Sequence, residues 1–136
     1  MRAVFIFFPL ISAWVSAQNI SRWYEVEGGH WKVMPSLVQE ALPLLQLATN
    51  KESERRRIQA PNLQSYILQY QGIVAKRQGA IHDDARSVFI RGACEIPEDS
   101  IPSLSGKWYL ESDGSGCNFG AFYDPTSKQL TVFSFE

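Results

Sequence analysis

Few residues in this chain could carry chemistry. Cys94 and Cys117 are its two cysteines, and Cys117 stands in ESDGSGCNFGAFYDP, residues 111–125, directly after a Gly-Ser-Gly run and among aromatics. A thiol nucleophile there needs a neighbouring base such as His82 or His30. In an oxidising compartment the two cysteines need only each other, so the expectation is a Cys94–Cys117 disulfide, with two free buried thiols, catalysis or metal binding as the alternatives. His82-Asp83-Asp84 sets an imidazole beside two carboxylates, yet consecutive residues point in different directions and three in a row seldom converge on one ion. We read it as a polar hairpin tip. Ser115 lacks the G-x-S-x-G context and strand-to-helix elbow of an activated serine, and its Asp-Gly-Ser-Gly loop lacks the spaced oxygen ligands of a calcium site. The run Arg55-Arg56-Arg57 is flanked by Glu52 and Glu54, which favours a solvated segment over an anion site. No acid/base pair or nucleophile set survives, so the sequence predicts a protein that is not an enzyme and uses no cofactor and no metal.

What holds these residues in place follows from length and composition. The 136 residues suit one domain, and 45% hydrophobic with 20% charged residues is ordinary for a globular chain. A formal net charge of -1 gives no general attraction to nucleic acid or anionic lipid. The first segment, MRAVFIFFPLISAWVSAQN, carries Arg2, an apolar run from Ala3 to Trp14 and the small-residue ending Val15-Ser16-Ala17. That layout predicts a signal peptide over residues 1–17, cut after Ala17, and one domain over 18–136. The apolar run is short for a bilayer span, so no stable membrane insertion is expected after cleavage. Export, periplasmic or secreted, is what makes the disulfide the favoured state of the cysteines. Closing a loop of that length stabilises by roughly 3.5 kcal/mol in the chain-entropy model.

Periodicity supplies the elements. NISRWYEVEGGHWKV reads as a short extended piece and a turn. SLVQEALPLLQLA reads as a helix opened by a Ser36/Gln39 capping box, with Pro43 as a kink or short break. TNKESERRRIQAPN reads as an exposed connection. From Ser65 the period becomes two: Tyr66, Leu68, Tyr70, Gly72 and Val74 share one face, while Ile67, Gln69, Gln71 and Ile73 share the other. SVFIRGACEI, CNFGAFY and QLTVFSF follow as further strands, with short turns that imply an antiparallel meander. The predicted fold class is α+β, one N-terminal helix packed on a four- or five-stranded antiparallel sheet of cystatin-like outline.

Trp31-x-Val33 before the helix, Tyr66-x-x-Gln69-Tyr70-x-Gly72, Ile90 with Ala93-Cys94, Trp108, Asp113-Gly114-x-x-Cys117-x-Phe119 and Tyr123-Asp124 form a pattern. It resembles a loosely defined group of small exported bacterial proteins whose activity is uncharacterised. Ser115 and Asn118 depart from it, where a second glycine and an aromatic are usual. The resemblance implies export, an α+β fold and a sheet with paired cysteines, and it carries over no activity.

One helix covers one face of a sheet, so aromatics on the other face are either available to a partner or part of a second core completed by the N-terminal segment. Trp31, Tyr70, Trp108 and Tyr123 are the candidate partner-binding residues. The expected function is an exported binding protein of inhibitor or immunity type, whose partner is another protein of the cell envelope or extracellular space. The alternative is a small-molecule or envelope-ligand binder with a cavity between helix and sheet.

Overall fold

The computed structural model describes residues 22–75, 85–110 and 117–136. The predicted signal peptide, His82-Asp83-Asp84 and the Asp113–Gly116 turn with Ser115 lie outside the described residues. Five strands, β1 (Trp23–Glu25), β2 (Ile67–Ala75), β3 (Ala85–Ala93), β4 (Asn118–Asp124) and β5 (Gln129–Phe135), form one sheet in sequence order. From β2 to β5 each neighbour is antiparallel, as the short connections required. β1, however, runs parallel to β2, with Trp23 opposite Leu68 and Glu25 opposite Tyr70. The sheet is therefore mixed, not purely antiparallel. Parallel neighbours need a crossover of a dozen residues or more, and the helix α1 (Pro35–Arg56) is that crossover. Alternation in a three-residue strand reveals extension but not direction.

Both ends of α1 differ from the expectation. Met34 is the N-cap with extended backbone and no side-chain cap bond, and Pro35 occupies the first turn. A proline there has no backbone donor to leave unpaired and a φ already suited to the helix. Ser36 thus lies inside the first turn and does not cap. Pro43 sits on the exposed side of an unbroken helix, where water can satisfy the carbonyl that its missing N–H leaves.

The helix also runs two turns into the segment expected to be a loop. Its buried stripe is Val38, Ala41, Leu45 and Thr49, and the last of these is a polar residue that a hydrophobicity pattern passes over. Thr49 Oγ1 donates to the carbonyl of Leu45 at 2.7 Å, and Ser53 Oγ donates to that of Thr49 at 2.6 Å. Glu52 accepts from Arg55 at 2.5 Å and from Arg56 at 3.2 Å, pairs at helical spacing that also set positive charge at the C-terminal end of the dipole. The arginine pair thereby holds the Glu52 carboxyl at about 2, below its ordinary value. Arg57 then takes a left-handed conformation at φ 56°, with its N–H on Glu54 and that of Ile58 on Ser53. This is a Schellman stop made without glycine.

The core lies between α1 and one face of the sheet. Leu68 and Tyr70 of β2, Val88 and Ile90 of β3, Phe119, Ala121 and Tyr123 of β4, and Phe135 of β5 are buried there with Val38, Ala41 and Leu45. Gly92 lies opposite Phe119, whose ring occupies the space a side chain at 92 would need. A bulge in β5 leaves Thr131 as the extra residue, since Phe122 faces Val132 while Tyr123 faces Leu130. The bulge reverses parity along β5, so that Leu130 packs on the core with Phe133 and Phe135.

Candidate partner-binding face

The second face of the sheet is partly crossed by the segment between β3 and β4, which contains the 3-10 helix Glu98–Ser103. Gln69, only 2% exposed, fastens this segment to β2. Its Nε2 donates to the carbonyls of Leu104 and Lys107, both at 2.8 Å, and its Oε1 accepts the N–H of Tyr109 at 2.8 Å. The N–H of Glu27 donates to Ser105, and Gln71 Nε2 donates to the carbonyl of Glu27, which joins the same segment to the end of β1. Two glutamines with the parity of a solvent-facing row are in fact clasps for loops.

The four aromatics proposed as a binding set do not come together. Tyr70 and Tyr123 have the parity of Ile90 and Val88, and α1 covers that face; they are 7% and 1% exposed and belong to the core. Tyr123 reaches the helix, where its hydroxyl donates to Glu40 Oε1 at 3.3 Å. Burial, and then the nearby carboxylates, push its pKa above the ordinary phenol value; burial and Glu25 do the same for Tyr70. Neither can meet a partner without opening the core. Trp31 is half-buried at the end of the helix-covered face, with Nε1 donating to the carbonyl of Ile73 at 2.9 Å. Its ring lies over Gly72, and the Arg86 guanidinium stands 5.4 Å from the ring centre. The adjacent His30 accepts the Val74 N–H on Nδ1 at 2.8 Å, a structural use of the imidazole.

Trp108 is the one of the four on the second face. Its ring is 5.0 Å from that of Phe89, which is 4.8 Å from that of Phe122. The pairing register continues this row from Gln71 through Phe89 and Phe122 to Val132. Val132 is 53% exposed and Leu110, in the segment after Trp108, 71%. Beside the row runs an open groove of about 350 Å³ lined by Ser103, Leu104, Lys107, Trp108 and Leu110. The neighbouring row ends in an ion pair, Arg91 Nη1 to Glu136 Oε2 at 2.6 Å, with the Glu136 carboxylate lying over Gly120. The result is an apolar strip closed by Trp108 at one end, open at Val132 at the other and flanked by a charged pair. Phe89, Phe122, Val132 and Leu110 were missed from sequence. Their signal was there, because each of the first two is out of phase with core-facing neighbours in its own strand.

The cysteines are joined, Cys94 to Cys117, with Cα atoms 5.1 Å apart. The Cys94 N–H donates to the Cys117 carbonyl at 2.8 Å, one step beyond the Ala93–Asn118 pair, so the bond extends the β3–β4 ladder. It lies against the core and closes the base of the segment that crosses to the second face. A disulfide offers no thiolate for nucleophilic attack. The space between α1 and the sheet is filled by Val38, Leu45, Ile90, Phe119 and Tyr123, all fully buried. Among the described residues no helix is long and apolar enough to cross a membrane.

Comparison of the chain with protein-family models, with curated proteins and with solved structures finds no match in any of the three. The resemblance to the exported bacterial group therefore rests on the quoted residues, several of which have structural duties: Gly72 admits Trp31, Gln69 clasps a loop, and Cys94 and Cys117 form the disulfide.

Proposed function

We propose that this protein is an exported, non-enzymatic binding module that acts by protein–protein contact, in the manner of inhibitors and immunity proteins. One observation carries the reading: among the described residues the second sheet face presents a contiguous apolar row, Trp108–Phe89–Phe122–Val132, whose Val132 end is 53% exposed. Rigid aromatic anchors at the end of a sheet row, rimmed by polar groups, suit recognition of another protein surface. The Cys94–Cys117 bond fits an oxidising compartment and hence the proposed cleavage after Ala17. The cystatin-like outline is kept as part of this proposal for α1 and the β2–β5 meander, with β1 as the departure from it. The alternative, a ligand held between helix and sheet, draws little support from a space that core side chains fill.

The test is a photo-crosslinking amino acid placed at Val132, in protein exported by its own cell, with the same group at Leu47 on the exposed side of α1 as control. The proposal expects a discrete protein adduct from position 132 and none from 47. Equal adducts from both positions, or from 47 alone, would remove the second face as the binding surface.

A further inference from the structure

At the Cys94–Cys117 disulfide the structure places a carboxylate beside the two sulfurs. The two sulfurs and a carboxylate oxygen of Glu95 lie within 4.8 Å of one another. Glu95 is exposed. The Cys94 N–H to Cys117 carbonyl bond, at 2.8 Å, does not involve the sulfurs. Opening the S–S bond would leave the two side chains projecting from the same adjacent ladder positions, with Cα atoms 5.1 Å apart. Thiolates on one tetrahedral ion at the usual Zn–S length of about 2.3 Å sit about 3.8 Å apart, a spacing that small side-chain rotations can supply from those positions.

We propose that the reduced protein holds a thiophilic divalent cation, of the zinc class, through Cys94 Sγ, Cys117 Sγ and the Glu95 carboxylate. Two soft sulfurs select such an ion over magnesium or calcium, and the single carboxylate leaves one tetrahedral position for water. A dithiol reductant opens the S–S bond by thiolate exchange, ends as its own disulfide and leaves two hydrogens on Cys94 and Cys117. The cation then displaces both protons to solvent, and the site with two thiolates and one carboxylate carries a single net negative charge. The disulfide and the metal site exclude each other because they use the same two sulfurs. The loop between β3 and β4 is closed at its base in either state, by a covalent bond or by a coordinated ion.

The experiment titrates cadmium ion, which reports on sulfur ligation through its thiolate-to-metal ultraviolet absorption, into full-length protein reduced with a phosphine that does not compete as a thiol. The reduced parent should bind one equivalent and lose affinity about tenfold or more in urea, because a folded site is pre-organised and an unfolded cysteine pair is not. Glu95→Gln should weaken binding about tenfold in the folded chain and leave the urea value unchanged. The oxidised parent and Cys94→Ser should show no such absorption at the same concentrations. Equal affinity with and without urea overturns the proposal, and that is also the outcome if reduction alone unfolds the chain. An unaltered affinity for Glu95→Gln in the folded protein overturns it as well.

Discussion

Gly92 faces the ring of Phe119 across the β3–β4 ladder, and a methyl group at 92 would have to enter that ring's space. Both residues are in the core, so relief must come from moving Phe119 against Tyr66, 5.1 Å away, or Phe133, 5.2 Å away. Gly92→Ala should therefore destabilise by about 1–3 kcal/mol, the usual range for overpacking, as read from urea unfolding. No change would mean that the ring is less tightly seated than described. Arg57 gives the opposite sign. Its backbone is left-handed at φ 56°, a conformation that glycine adopts without the Cβ penalty. Arg57→Gly should stabilise by about 0.5–1 kcal/mol, provided the Schellman bonds survive. A lowered melting temperature would show that the arginine contributes more as a side chain than it costs as a backbone. At this scale the sequence was legible where redox context applied: Cys94 and Cys117 were readable as a pair. It was not legible for Tyr70 and Tyr123, since a phenol suits a core or a surface equally well until the covered face is known.

Among the elements, α1 shows why boundaries were harder to read than identity. The helical spacing of Leu37, Ala41, Leu44 or Leu45 and Ala48 predicts a helix, but its continuation depends on Thr49 burying a hydroxyl bonded to its own helix and on Glu52 pairing two arginines. Neither feature registers as hydrophobic periodicity. The direction of β1 was hidden for a different reason, because pairing between segments far apart in sequence leaves no local trace. The segment after β3 raises the same problem, since what seats it is one buried side chain on another strand. Replacing Gln69 with alanine removes its side-chain hydrogen bonds to the Leu104 and Lys107 carbonyls and from the Tyr109 N–H, and leaves the two carbonyls without that donor. Gln69→Ala should destabilise by about 2–3 kcal/mol. Amide exchange in residues 98–110 should rise more than in β3 or β4, and a uniform rise across the sheet would show that Gln69 holds the core and not the loop.

For the whole molecule, buried phenols set an alkaline limit. Desolvation pushes Tyr66 up to about 12, and burial raises Tyr70 and Tyr123 as well. Each keeps its proton in the folded state beyond the pH at which an unfolded phenol, near 10, releases it. Their contribution is intact below about pH 10 and is lost as pH rises toward 12, so the urea midpoint should fall across that window and stay level between pH 7 and 9 as far as these groups are concerned. A midpoint unchanged up to pH 12 would contradict their burial. The same architecture that hides these tyrosines leaves the opposite face with its apolar row, and the central claim is that a partner protein binds there. The most direct measurement compares the parent with Val132→Lys and Leu47→Lys, each folded to the same melting temperature, for retention of the partner identified by the crosslink from position 132. Both substitutions add one positive charge at an exposed apolar site, one on the second sheet face and one on the outside of α1. Val132→Lys should weaken retention at least about tenfold, a loss of about 1.4 kcal/mol, while Leu47→Lys should retain the partner as the parent does. Equal retention by all three proteins, or a loss confined to Leu47→Lys, would contradict the claim.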